Sequence, residues 1–200
     1  MAVVTYALSS RANVKRYLQI ADAVTSYDVL LDDLINAATD FVEKYCGRRF
    51  LSSTYTNEVY NGEGTKELIL KNWPVSTFTQ LDERDNTENS DSWDTKDTGD
   101  YYVDLDNGIV IATKFNFRNF PRHYRVTYTA GYNLTEGSAN NLPWDLELAC
   151  KKMVSIEFNK RRAQGIKSET LGEYSVTWAD EELKQAGIYD ILDKYARRNV

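Results

Sequence analysis

Between Arg125 and Arg162 the spacing of apolar residues changes period once, from 2 to 3.6, and that change restricts the chain more than any other feature. Val126, Tyr128 and Ala130 alternate with Thr127 and Thr129, which predicts a strand with one buried face. Gly131 follows, and residues 133–141 have the composition of a polar loop. Pro143 suits a first helical turn, where its missing N–H is no loss, and Asp145 favours the positive end of the helix dipole. Leu146, Ala149, Cys150, Met153 and Ile156 then share one side of a helix of about five turns. Trp144, Leu148, Val154 and Phe158 lie off that stripe, among Glu147 and Lys151. Two parts of one domain packing on the helix would account for them. So would a contact between subunits, which singles out Trp144, Leu148 and Phe158 as interface candidates.

A second strong helix precedes the strands. Tyr27, Leu30, Leu31, Leu34, Ile35, Ala38, Phe41, Val42 and Tyr45 make an apolar stripe, with Asp32, Asp33, Asn36, Asp40, Glu43 and Lys44 on the other face. Thr25 and Asp28 are spaced as a capping box at its start. Gly47 is placed as a C-cap glycine, and Arg48 and Arg49 complement the negative end of the dipole. Ser10 is positioned to cap a shorter helix carrying Val14, Tyr17 and Leu18. At the other end Asp180 caps a last helix, interrupted at Gly187, whose apolar face is Ile188, Ile191, Leu192 and Tyr195. That face suits docking on the chain's own core, and equally docking on a partner.

Residues 52–131 have a different character. Extended runs at 52–60, 67–71, 76–81 and 123–130 are separated by turn residues. Tyr101–Leu105 and Ile109–Thr113 flank Asp106-Asn107-Gly108, the clearest hairpin in the chain, with Asn-Gly supplying positive φ angles. Glu173–Trp178 also alternates as a strand, after a Gly165–Gly172 connection. The expected fold is α+β: a small helical bundle with an inserted antiparallel β subdomain at about 52–131. Its helices fall at about 10–19, 26–46, 143–162 and 181–197. In domain terms, 1–51 and 132–200 form the helical core with a C-terminal docking helix, and the insertion carries an acidic loop at 82–100.

Charge is unevenly distributed. The formal net charge is −6. Asp82 to Asp106 holds ten acids against Arg84 and Lys96, so the rest of the chain is slightly basic. Such a run is expected to be a solvated loop or a surface that repels phosphate, the opposite of a nucleic-acid gripping site. No apolar run approaches the roughly 20 residues of a membrane span, and MAVVTYALSS has no signal-peptide pattern. Cys46 and Cys150 are expected to be reduced, buried thiols, and the Asn133-Leu134-Thr135 sequon silent.

Catalytic signals are weak. His123 is the sole histidine, which excludes a two-His metal site, and it is expected to be an ordinary exposed or half-buried residue. There is no Gly-x-Ser-x-Gly elbow. Gly62-Glu63-Gly64-Thr65-Lys66 lacks the Gly-Lys-Ser/Thr ending of a phosphate loop and suits a hairpin turn better. Asp104–Gly108 begins like a calcium loop, but Phe115 stands where the twelfth ligand, Glu, belongs. No pair of acids stands out for hydrolysis. The expectation is a protein that is not an enzyme and has no cofactor and no metal.

The order of several short pieces resembles the gp6-like head–tail connector (adaptor, or head-completion) proteins of tailed phages. The pieces are Val14–Ile20, Leu31–Ala38, Val42–Phe50, Trp73-Pro74-Val75, Val126–Tyr132, Leu142-Pro143, Ala149-Cys150, Gly165–Glu169 and Tyr174-Ser175-Val176. Together they span roughly residues 14–178. The acidic insertion departs from shorter members.

The resemblance implies a structural virion protein of the neck, assembled in the host cytoplasm. Such proteins form a ring, twelvefold, that docks on the portal, extends the channel for double-stranded DNA and offers a platform for the tail or next neck protein. It places portal contact at Ile188, Ile191, Leu192 and Tyr195. An acidic channel lining would keep DNA moving, and Asp85, Glu88, Asp91, Asp94 and Asp97 are the candidates. The competing reading is a carbohydrate- or protein-binding β module of a tail fibre or baseplate. It would use Trp73, Trp93, Tyr101 and Tyr102 as an exposed aromatic platform.

Overall fold

The structure is a computed structural model describing residues 2–85, 92–134, 140–163 and 180–197, with only the backbone described at 161–163. The expected strand at 173–178, the connection before it, Glu88 and Asp91 lie outside the described residues. The fold is α+β, with helices and antiparallel sheets of four and three strands. By internal contacts the chain divides into a helical unit, Met1–Phe50 with Asn133–Arg197, and a β unit, Leu51–Tyr132.

The helical unit contains α1 (Arg11–Tyr17), α2 (Asp28–Cys46), α3 (Trp144–Ala163), α4 (Asp180–Gln185) and α5 (Ile188–Leu192). Ser10 caps α1, its Oγ accepting from the Asn13 N–H at 3.2 Å. α2 ends at Gly47 in the left-handed region (φ 65°); its N–H donates to the Lys44 carbonyl and that of Arg48 to the Glu43 carbonyl. The capping box at the start of α2 does not form. Asp28 instead binds Lys15 Nζ at 2.5 Å and Arg11 Nη1 at 3.0 Å, which ties α1 to α2. Arg11 also grips Asp32 through two bonds of 2.7 and 2.6 Å.

Leu31, Leu34, Ile35, Ala38 and Val42 of α2 are fully buried, as are Leu146, Ala149, Cys150, Met153 and Val154 of α3. α3 packs on α1, α2 and α5, so its apolar arc is wider than one stripe. Gly187 (φ 64°) separates α4 from α5, as its position in the sequence anticipates. Both cysteines are free and buried, and burial pushes each thiol up to about 12.

Among the described residues the β unit has seven strands: β1 (Ser53–Gly62), β2 (Glu67–Ile69), β3 (Val75–Arg84), β4 (Trp93–Thr95), β5 (Tyr101–Asp104), β6 (Ile109–Ala112) and β7 (Phe120–Ala130). One sheet runs β1-β7-β3-β4 and the other β2-β6-β5. β7 is thus held on both edges, and its alternation places Tyr124, Val126, Tyr128 and Ala130 in the core. A bulge at Asn57 (φ 53°) shifts the phase of β1 between Tyr55 and Glu58. Glu58 thereby joins Tyr55 and Tyr60 on the inward face. The β5–β6 turn places only Gly108 at positive φ (65°), whereas Asn107 does not take the left-handed angle expected of it.

The acidic run is not one loop. Its first residues belong to β3, Asp94 belongs to β4, and Thr98–Asp100 is a 3₁₀ turn. The reason is long-range pairing: Asp82 and Glu83 lie opposite Arg125 and Tyr124 across the sheet.

Candidate assembly surfaces

In the helical unit a groove of about 850 Å³ runs beside the start of α3. Ala12, Asn13, Arg16 and Tyr17 of α1 line one side, Trp144, Glu147 and Lys151 of α3 the other, and residues 140–143 close one end. Trp144 is 84% exposed and Tyr17 41%. Glu147 fixes the separation of the walls. Its Oε1 accepts from Ser9 Oγ (3.1 Å) and Asn13 Nδ2 (2.8 Å), and Oε2 meets Lys151 Nζ at 3.4 Å. This positioning role was not legible beforehand. The Glu147–Lys151 spacing of four residues is its only signal, since Ser9 and Asn13 are both remote in sequence.

The three off-stripe residues of α3 separate. Trp144 stands in solvent, Leu148 is half-buried, and Phe158 is buried with its ring edge-on to Tyr27 at 5.3 Å. Packing within the unit accounts for Phe158, which offers no free anchor. The C-terminal face divides likewise. Ile188 and Leu192 are fully buried in the helical unit, while Ile191 and Tyr195 are half-buried. Tyr195 OH donates to Asp145 Oδ1 at 2.6 Å, and Arg197 N–H donates to the Cys46 carbonyl at 2.7 Å. Docking on the chain's own core therefore occupies Ile188 and Leu192, two of the four residues that the resemblance assigned to a portal.

Among the acids, Asp94 and Asp97 are exposed and Asp85 is half-buried. Asp82 is different: it is 1% exposed and bound by Arg125 Nε (2.5 Å), Gln80 Nε2 (2.6 Å) and Thr95 Oγ1 (2.8 Å). Burial alone would raise its pKa, but these three donors together hold it below the usual carboxylate range. Glu83 is also lowered: burial opposes ionisation, and Lys96, Tyr124 and Arg118 outweigh it. His123 is buried, against expectation, with Nε2 3.4 Å from Glu83. Two acids of the run thus hold the sheet together rather than forming a repelling surface.

The aromatic platform of the β-module reading is not assembled. Trp93 is covered by the guanidinium groups of Arg125 (4.7 Å) and Arg84 (6.0 Å). Tyr101 packs on Phe78 at 5.7 Å, and Trp73 lies against Gly108. Only Tyr102 of the four is exposed, at 62%. Among the described residues no three His, Cys, Asp or Glu side chains gather as a metal site, and no helix is long and apolar enough to cross a membrane.

The model of the head completion protein family matches residues 7–198. The chain belongs to that family. Solved structures agree in fold. The neck of an empty gene transfer agent particle, determined with C6 symmetry, superposes with a TM-score of 0.53 at 16% identity, covering 100% of this chain and 94% of that one. The neck of the native particle with C12 symmetry gives 0.52 at 16%, and the native gene transfer agent virion gives 0.52 at 18%, with the same coverage. No curated protein matches the chain in sequence. This head completion protein is a structural protein of the head–tail connector class, as the order of its sequence pieces implied.

Proposed function

We propose that the chain assembles as a twelvefold ring in the neck of a virion, docks on the portal, continues the DNA channel and presents a platform for the tail or next neck protein. The observation that carries this reading is the head completion match over nearly the whole chain. The likeness in fold to a neck of C12 symmetry supports the subunit number. Ring closure is heterologous and needs two unlike surfaces on each copy. The groove with Trp144 is one of them, with half-buried Leu148 on the same helix. For the portal contact, Ile188 and Leu192 anchor the C-terminal helix while Ile191 and Tyr195 remain accessible at its surface.

The exposed acids Asp94 and Asp97, with Asp85, would face passing DNA and repel its phosphates. The role is structural and involves no catalysis. The test is the mass of the purified protein, alone and with its cognate portal, by native mass spectrometry and electron microscopy. A ring, or a monomer that becomes a ring on the portal, is expected. A monomer indifferent to the portal refutes the proposal.

A further inference from the structure

The ring reading leaves open which part of the next copy meets the groove. We infer that it is the β5–β6 hairpin, with Tyr102 of its edge strand and Leu105 and Asp106 of its turn in one copy seated between α1 and α3 of its neighbour. The inference rests on the ring reading and adds the identity of the contact.

The two surfaces match in chemistry. The groove presents Trp144 and Tyr17 with the cation Arg16, while Lys151 is paired with Glu147. The hairpin presents Tyr102 on edge strand β5 and, at its turn, Leu105 (44% exposed) beside the exposed Asp106. Aromatic anchors ringed by opposite charges are the usual make-up of a specific contact. β5 is moreover an edge strand of its sheet, and an edge with an exposed aromatic is a surface that proteins cover.

The hairpin end is also held rigid. Asp104 Oδ1 accepts from Asn107 N–H at 3.1 Å, Leu70 N–H donates to the Gly108 carbonyl at 2.8 Å, and Val75 N–H to the Leu105 carbonyl at 2.7 Å. Little ordering is left to be done on binding.

Of the other exposed apolar residues, Tyr45 is already engaged by Asp193 and Tyr189, and the rest fit less well. Phe120 (59% exposed) stands between Arg118, which is paired with Glu83, and Arg122, whose charge would oppose Arg16. Val24, Tyr27 and Val29 lie near Asp28 and Asp32, and both carboxylates are already bound by Arg11 and Lys15.

Cysteine trapping tests the contact, because both native thiols are buried. Tyr17→Cys combined with Tyr102→Cys in one chain, assembled with the portal if the ring requires it, should give a covalent ladder under mild oxidation. Tyr17→Cys with Phe120→Cys should give none. In the second arm, Arg16→Glu and Asp106→Arg should each weaken assembly by about tenfold or more, and together restore it. Circular dichroism checks that each variant is folded. A ring seen by microscopy without the ladder and without charge-swap rescue overturns the contact and leaves the ring reading standing. Absence of any ring, with or without portal, removes both. A ladder through Phe120→Cys assigns the groove to a different segment and also overturns the inference.

Discussion

The two units bury different things. The interior of the helical unit is aliphatic where α2, α3 and α5 meet, with Leu31, Leu34, Ile35, Met153, Ile188 and Leu192 fully buried. The pairs of Arg11 with Asp28 and Asp32 lie at the edge where α1 docks. The β unit instead threads polar tethers through an aromatic core. Tyr60 and Tyr128 share a 2.9 Å hydroxyl contact, and both donate to Glu58 Oε2, at 2.5 and 2.6 Å. Lys71 Nζ meets the other oxygen of Glu58 at 3.3 Å and lies over the Tyr60 ring. Asp82 and Glu83 extend this pattern. A helical interior is specified by volume and period, whereas this sheet interior also requires particular donors opposite particular acceptors.

Mutations should separate the two modes. The largest loss is expected from Phe158→Ala, about 3–5 kcal/mol by chemical denaturation, since a buried ring leaves a cavity against Tyr27. Asp82→Ala should cost the β unit about 3 kcal/mol, the lower end for breaking a buried pair, because Arg125 keeps part of its solvent exposure. An Asp82→Ala protein as stable as the parent would remove the distinction drawn here.

Acid should act on the β unit first. The folded pKa values of Asp82 and Glu83 are lowered, so their contribution is complete above the unfolded values near about 4 and is lost as pH falls below them. In the helical unit Asp28 follows the same sign, lowered chiefly by Lys15. Glu43 has the opposite one, raised chiefly by burial, so it favours folding as pH falls through its folded pKa. Amide exchange during acidification should therefore release β7 before α3. Simultaneous release would contradict this.

Smaller effects sharpen the contrast. Tyr128→Phe removes one donor to Glu58 and is expected to cost about 1 kcal/mol in urea unfolding. Trp144→Ala should change stability by less than about 0.5 kcal/mol, because the side chain is exposed, while abolishing assembly. Neither thiol should react with a thiol reagent before unfolding, since burial pushes both up to about 12.

What the sequence made legible follows the range of the interactions. The centre of the α2 stripe (Leu31, Leu34, Ile35, Ala38 and Val42), the Ser10 and Gly47 caps, the alternation of 126–130 and the break at Gly187 are local patterns, and each stands in the structure. The acidic run was misread because Arg125, which converts Asp82 into a sheet tether, is remote in sequence. The capping box failed for the same reason, with Lys15 and Arg11 taking the carboxylate of Asp28. Burial of His123 depends on neighbours across the sheet that no periodicity announces. Of the assembly surfaces, Trp144 was visible as an aromatic out of phase with its helix. The groove around it was not, because α1 and α3 come together only in the fold.

The position of β7 in the chain has a consequence for biosynthesis. As the last of the described strands, and the partner of both β1 and β3, it must leave the ribosome before the larger sheet can close. α1 and α2 emerge earlier still, yet their packing partner α3 follows β7. The nascent chain thus carries the apolar face of α2 uncovered while an entire β unit is synthesised, a long-range closure that is slow by its topology. The groove is completed only after that, so a copy still on the ribosome has no binding site to offer a neighbour until most of its chain is made.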